Sequence, residues 1–270
     1  MLLRPRQQEF LDRTLEALSE NDNTLGIAPT GAGKTILFSH LLGELIRSEP
    51  EKKSLVIAHR DELTAQNSSK FRLINPDIST SIVNAETKDW GGQVVFAMVQ
   101  TLSREANLAQ IPHIDFLVID EAHHTTAGTY QSIINKVRET SESCKLVGLT
   151  ATPNRSDGEG LRKNYSNVSD QIFISELISS GHLVVPRTFI IDVAQERLQS
   201  VQKVAGDFDM SQVEKILNKR PINQTVVEKW KELGENRKTV IFCSTVEHAK
   251  NVQGTFIDEG IKAEIVTGDP

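Results

Sequence analysis

The chain has 270 residues, 30 Lys and Arg against 36 Asp and Glu, a net charge of −6 and only 5% aromatic residues. That length allows one or two domains, the acidic balance argues against polyanion binding over the whole surface while leaving room for a local groove, and the few aromatics argue against a base-stacking platform. Two cysteines, Cys144 and Cys243, both in apolar stretches, read as core residues; there is no Cys/His cluster of zinc spacing, no apolar run approaches the about 18 residues of a membrane span, and no signal peptide precedes Arg4, so a cytoplasmic protein is expected.

The first informative stretch is Thr24-Leu-Gly-Ile-Ala28, short and apolar, which predicts a buried parallel strand. It runs into Ala28-Pro-Thr-Gly-Ala-Gly-Lys-Thr35, and Ile36 to Ile46 then has helical apolar spacing. A Gly-rich turn between a strand and a helix is a phosphate cradle: Gly31 and Gly33 let the backbone curl, and the helix N-terminus adds partial positive charge. Thr30, Gly31, Ala32 and Gly33 are the candidate cradle residues, Lys34 reaches the β- and γ-phosphates, and the Thr35 hydroxyl ligates Mg²⁺. Ala28 departs from the general pattern, which has glycine there.

Further strands are predicted at 54–58, 79–83, 94–98, 116–120 and 145–150, with helical patterns between several of them, Asp61 serving as the N-cap of a helix running to Asn75. Alternation of this kind gives an α/β fold with a parallel sheet covered on both faces. Phe116-Leu-Val-Ile119 ends in Asp120 and Glu121, which places both carboxylates at the carboxyl edge of the sheet. Asp120 is the candidate Mg²⁺ ligand and Glu121 the base that orients and deprotonates a water. His123 and His124 are adjacent, which on one helix points them apart.

Asp120-Glu-Ala-His123 resembles the signature of DEAH-type helicases of superfamily 2, and five other segments resemble that superfamily in the same order. Its version of the phosphate loop often begins with Ala, as at Ala28. Arg4-Pro-Arg-Gln7 is similar to the segment whose glutamine reads adenine, with Gln7 the better match and Gln8 the alternative. Ile57 to Gln66 resembles motif Ia, Val99-Gln-Thr-Leu102 motif Ib, and Thr150-Ala-Thr152 motif III. The resemblance implies a RecA-like first domain over 1–186, ATP and Mg²⁺ as cofactors, coupling through His123, Thr150 and Thr152, and a nucleic-acid groove, with DNA the expected partner. Candidate groove residues are His59, Arg60, Gln100 and Thr101, joined by Ser244 and Thr245 from the second domain; each reads equally as a helix cap or a strand-end polar residue. Thr150 to Arg155 with Asp157-Gly158, Ser180 to Pro186, and Gly206-Asp-Phe208 are similar to RadD-type DNA helicases, and similar runs occur in restriction-enzyme motor subunits.

A short helix over 175–180 closed by Gly181 puts the domain boundary near Pro186–Arg187, and 194–209 is the least patterned stretch. Thr239 to Thr245 predicts a strand and turn resembling motif IV. Val246, Ala249, Val252, Phe256 and Ile257 then predict one helical face, and Ala263-Glu-Ile-Val266 another strand. The resemblance makes 187–270 the opening part of a second RecA-like domain, ending before motifs V and VI, whose arginines would clamp the phosphoryl group. Neither half is basic: 18 Lys and Arg against 23 Asp and Glu in 1–186, 12 against 13 in 187–270. Three functions stay open: an ATP-driven DNA helicase or translocase, including the motor of a restriction or phage-defence system; an ATP-gated nucleic-acid clamp without turnover; and a small-molecule kinase using the same loop.

Overall fold

The computed structural model describes residues 2–153, 161–193, 198–204 and 207–268. The chain divides into two compact units, Met1–Val185 and Pro186–Pro270.

The first unit opens with α1 (Pro5–Glu20), whose Pro at its start tolerates the missing N–H. Then come β1 (Asn23–Ile27), α2 (Lys34–Ser48), β2 (Ser54–Ala58), α3 (Asp61–Ile74), β3 (Thr80–Val83) and β4 (Val94–Met98). The short helices α4 (Val99–Leu102) and α5 (Glu105–Leu108) lead to β5 (Phe116–Asp120), a 3₁₀ turn at Ala122–His124, α6 (Gly128–Thr140), β6 (Lys145–Thr150), β7 (Val168–Gln171) and α7 (Ile174–Ser179). The strands form one seven-stranded sheet in the order β3-β4-β2-β5-β6-β1-β7, and every neighbouring pair is parallel.

Successive strand residues point to opposite faces, so a strand covered on both sides is apolar at every position. Leu55 and Ile57 join Leu117, Ile119, Ile133 and Val137 on one face, while Val56 joins Phe10, Phe38, Phe71, Phe96 and Val118 on the other. The second face is closed by α1, α2 and α3, the first by α4 and α6. This double core holds the strand ends, and hence the loops they carry, in fixed register.

Of the six strands predicted in this unit, β2, β4, β5 and β6 coincide with expectation, and β1 and β3 lie within one residue of it. Strand β7 went unread because Val168-Ser-Asp-Gln is mostly polar; it is an edge strand pairing only with β1. Asp170 in it is nearly buried and is held by the guanidinium groups of Arg6 and Arg13 on α1. Asp61 is not the N-cap of α3. Arg60 occupies that position, and Asp61 accepts a hydrogen bond from Asn84 Nδ2 at 3.1 Å.

The second unit holds a two-residue antiparallel pair, β8 (Lys203–Val204) with β9 (Asp207–Phe208), then α8 (Met210–Leu217), α9 (Arg220–Leu233) and α10 (Val246–Asp258). Val227, Val252 and Phe256 form its small core with Trp230 against them. The expected helix is present, but its inward face is His248, Val252 and Phe256; Val246 and Ile257 are exposed. Residues 239–245 and 263–266, expected as strands, join no sheet among the described residues. A strand needs a neighbour to accept its backbone hydrogen bonds, and here Val240, Phe242 and Val266 stand exposed. Of the RadD-like segments, Asn154, Arg155, Asp157, Gly158 and Gly206 lie outside the described residues.

Candidate functional site

Sheet order decides which chemistry meets. β6 lies between β5 and β1, with Ile27 opposite Thr150 and Asp120 opposite Leu149. The phosphate loop after β1, the carboxylates ending β5 and Thr150 ending β6 therefore emerge side by side on one sheet edge. Ala28 N–H donates to the Thr150 carbonyl at 2.9 Å, continuing the ladder into the loop.

Gly31 and Gly33 have φ of +90° and +89°, a region L side chains rarely adopt. A Cβ on Gly33 would also sit 2.8 Å from Gln7 Nε2. Gln7 itself is buried; its amide donates to the Ala32 carbonyl at 2.8 Å and its Oε1 accepts from Arg4 N–H at 3.0 Å. Gln8 instead bonds Asp12 on the exposed side of α1, so Gln7 is the glutamine at the loop. Beside it a cavity of about 270 Å³ is lined mainly by apolar groups with Arg4, Gln7, Ile172, Leu177 and His182 at its walls.

Lys34 Nζ lies 3.3 Å from Glu121 Oε1, and Glu121 Oε2 lies 3.3 Å from His123 Nδ1. The same His123 nitrogen is 3.2 Å from Thr150 Oγ1, which accepts the Thr152 N–H at 3.1 Å. Lys34, Glu121, His123, Thr150 and Thr152 thus form one continuous polar chain. Glu121 has φ +57°, a left-handed conformation for a non-glycine residue at the end of β5, of the kind that clusters at functional sites.

Asp120 is buried, and desolvation pushes its pKa up, while the hydrogen bond from Asn67 opposes that rise. Asn67 was not expected. From the middle of α3 it donates through Nδ2 to Asp120 Oδ2 at 2.9 Å and accepts from the Thr35 hydroxyl at 3.1 Å. Its signal in the sequence was faint: the inward stripe of α3 is Thr64, Asn67, Ser68 and Phe71, polar where a core-facing helix is ordinarily apolar. Asn67 thus bridges the Thr35 hydroxyl and the Asp120 carboxylate, both hard oxygen groups of the kind that can hold Mg²⁺.

The adjacent histidines do not point apart. The 3₁₀ turn brings their ring centroids to 4.1 Å, and His124 lies 5.1 Å from His59 at the end of β2. His59 Nδ1 is buried without a hydrogen-bond partner. Of the groove candidates, Arg60 and Gln100 are exposed, but Thr101 is 2% exposed inside α4 and offers no surface to a ligand. Thr245 is an N-cap: its hydroxyl accepts the His248 N–H at 3.1 Å, and Ser244 Oγ is 3.0 Å from His248 Nδ1.

Residues 1–155 match the family described as "Type III restriction enzyme, res subunit". The chain belongs to that family. It is similar to the putative ATP-dependent helicase IRC3 of Saccharomyces cerevisiae, 26% identical over 99% of this chain and 41% of the relative. A putative mitochondrial ATP-dependent helicase irc3 of Schizosaccharomyces pombe is 29% identical over 99% of this chain and 45% of its own length. The chain therefore spans less than half the length of these relatives. In fold it is similar to the DNA-bound, ATP-dependent Type ISP restriction-modification enzyme LlaBIII, with a TM-score of 0.66 at 18% identity over 96% of this chain and 21% of that one. The UvsW helicase of bacteriophage T4 matches with a TM-score of 0.50 at 18% identity, over 62% of this chain and 60% of that one. These neighbours share its RecA-like α/β fold.

Proposed function

We propose that Met1–Val185 binds and hydrolyses ATP and that the protein couples this to movement on nucleic acid, DNA first among the candidates, as a superfamily 2 helicase or translocase. The observation that carries the reading is the polar chain from Lys34 through Glu121 and His123 to Thr150. Lys34 and Glu121 form an ion pair. A γ-phosphate at the loop would compete for Lys34 and leave the Glu121 carboxylate to accept a proton from the attacking water. Thr35 and Asp120 would hold Mg²⁺, which when bound neutralises charge on the phosphates. Gln7, with Arg4, Ile172 and Leu177 around the neighbouring cavity, would receive the adenine.

Coupling then needs a route from this pocket to the groove. His123, His124 and His59 are packed ring against ring and end beside exposed Arg60, which can contact phosphate oxygens without reading sequence. Gln100 is the second groove residue of this unit. We assign residues 187–270 to a second RecA-like domain, contributing Ser244 and Thr245, and the cytoplasm as compartment; among the described residues no helix is long and apolar enough to cross a membrane. The family match favours, within the same class, a motor that drives DNA through a restriction system.

Nucleotide titrations with and without a single-stranded oligonucleotide test this. Lys34→Ala is expected to abolish ATP binding, and Glu121→Gln to retain binding while blocking hydrolysis. ATP affinity unchanged in Lys34→Ala, or oligonucleotide affinity indifferent to nucleotide, would sink the assignment.

A further inference from the structure

Asn67 joins the two residues that this reading gives to Mg²⁺, yet it lies outside every motif named above. It is 2% exposed in the middle of α3, and both ends of its carboxamide are engaged, one by the Thr35 hydroxyl and one by Asp120 Oδ2. A buried amide costs free energy unless both its donor and its acceptor are used, and leucine at the same place would pack without that condition. α3 keeps polar residues at Thr64, Asn67 and Ser68, three of its four inward positions; Phe71 alone is apolar. Thr64 spends its hydroxyl on its own helix, accepted by the Arg60 carbonyl. Asn67 is the inward residue whose bonds cross to two other elements, the start of α2 and the end of β5.

The consequence lies in electrostatics and in order. Asp120 is buried beside the like charge of Glu121. A carboxylate in that position turns toward whatever donor is at hand. The Asn67 N–H fixes one of its oxygens on the side facing Thr35, and the Asn67 carbonyl draws the Thr35 hydroxyl to the same side. Both oxygens are thereby tied to one carboxamide.

We infer that Asn67 is a positioning residue that pre-sets Thr35 and Asp120 for Mg²⁺ and so sets the affinity of the nucleotide site for the metal. This deepens the ATP reading and rests on it. Partners that orient metal ligands typically change metal affinity about 10- to 100-fold when removed. A residue that only filled the core would affect stability and leave the metal dependence alone.

The test is a Mg²⁺ titration of the affinity for a fluorescent non-hydrolysable ATP analogue, with the same affinity measured in EDTA and Mn²⁺ occupancy of the complex read by electron paramagnetic resonance. Asn67→Leu is expected to raise the half-saturating Mg²⁺ by about tenfold or more and to leave the affinity in EDTA unchanged. Asn67→Ser, which keeps a short polar group, should shift in the same direction by less, and it decides the matter should the leucine variant fail to fold. Unchanged half-saturation, or equal losses with Mg²⁺ and in EDTA, would overturn the role of Asn67 while the Mg²⁺ dependence of the unsubstituted protein leaves the nucleotide site standing. Mg²⁺-independent binding by the unsubstituted protein would overturn both.

Discussion

Phe116-Leu-Val-Ile119 in the first unit and Val240-Ile-Phe-Cys243 in the second are equally apolar and equally suited to a strand. The first is buried throughout, paired on both sides by β2 and β6 and covered on both faces. The second joins no sheet among the described residues, and Phe242 is 94% exposed. Intrinsic preference is thus only half of a strand. The other half is a partner for each backbone N–H and C=O and a layer over each face. Function follows the same division: the chain from Lys34 to Thr150 exists because three paired strands end at one edge, whereas Ser244 and Thr245 are occupied in starting a helix.

The largest effect that can sharpen this contrast is expected in the double core. Phe96 is fully buried between β4's neighbours and packs edge-on against Phe71, with ring centroids 5.7 Å apart. Phe96→Ala should cost about 3–5 kcal/mol, read as a loss in urea midpoint. Because the core fixes the strand ends, nucleotide affinity should fall with it. Full affinity in a variant so destabilised would mean that the loops do not depend on the sheet for their placement.

The next effect concerns an edge held by charge. Arg6 bonds Asp170, Glu176 and the Gln171 carbonyl, tying α1 to β7 and α7. Burial alone would raise the Asp170 pKa, but Arg6, helped by Arg13, brings it below 3.8; the Arg6 bond likewise lowers Glu176 below 4.5. Carboxylates depressed in the folded state contribute stability that is present above their unfolded pKa and lost as pH falls through the folded one. Arg6→Met should therefore lower stability at neutral pH, by less than the loss of a fully buried pair, because Arg6 and Glu176 are partly exposed and Arg13 remains on Asp170. The difference from the unsubstituted protein should shrink as the pH drops below about 4. A difference that does not change with pH would assign the role of Arg6 to packing.

These two cases also mark what could be read beforehand. The loop from Gly31 to Thr35 and the pair Asp120–Glu121 were legible because local chemistry demands those residues in that order, and β2, β4, β5 and β6 because apolar runs between turns have few alternatives. Strand β7 was not, since its stability comes from Arg6 and Arg13, more than 150 positions away in sequence. Asn67 was not, since a single polar residue in a helix announces nothing until the fold lays Thr35 and Asp120 beside it. Thr101 misled for the converse reason: a polar side chain expected at a groove lies buried in α4.

A smaller effect is expected where the second unit depends on local order. Thr245 caps α10 by accepting the His248 N–H. Thr245→Ala should cost about 1 kcal/mol, visible as a lower helical signal on mild heating, and should leave ATP binding by the first unit unaltered. Weakened nucleic-acid binding without loss of helix would instead give Thr245 a groove role beyond its cap.

The smallest effect tests the contrast itself. With Phe242 exposed and no ladder along 239–243 among the described residues, Phe242→Ser removes no buried contact, so folding stability should stay within about 0.5 kcal/mol. An exposed apolar segment with unpaired backbone groups is also a template for pairing with another chain. The serine variant should therefore self-associate less, and light scattering across a concentration series would show it. A loss in urea midpoint as large as that of Phe96→Ala would break the comparison. Phe242 would then be covered in solution, and residues 239–243 would be a true strand whose partner the described residues do not include. The two outcomes separate propensity from pairing at one position: the same phenylalanine contributes several kcal/mol inside a ladder and almost nothing outside one.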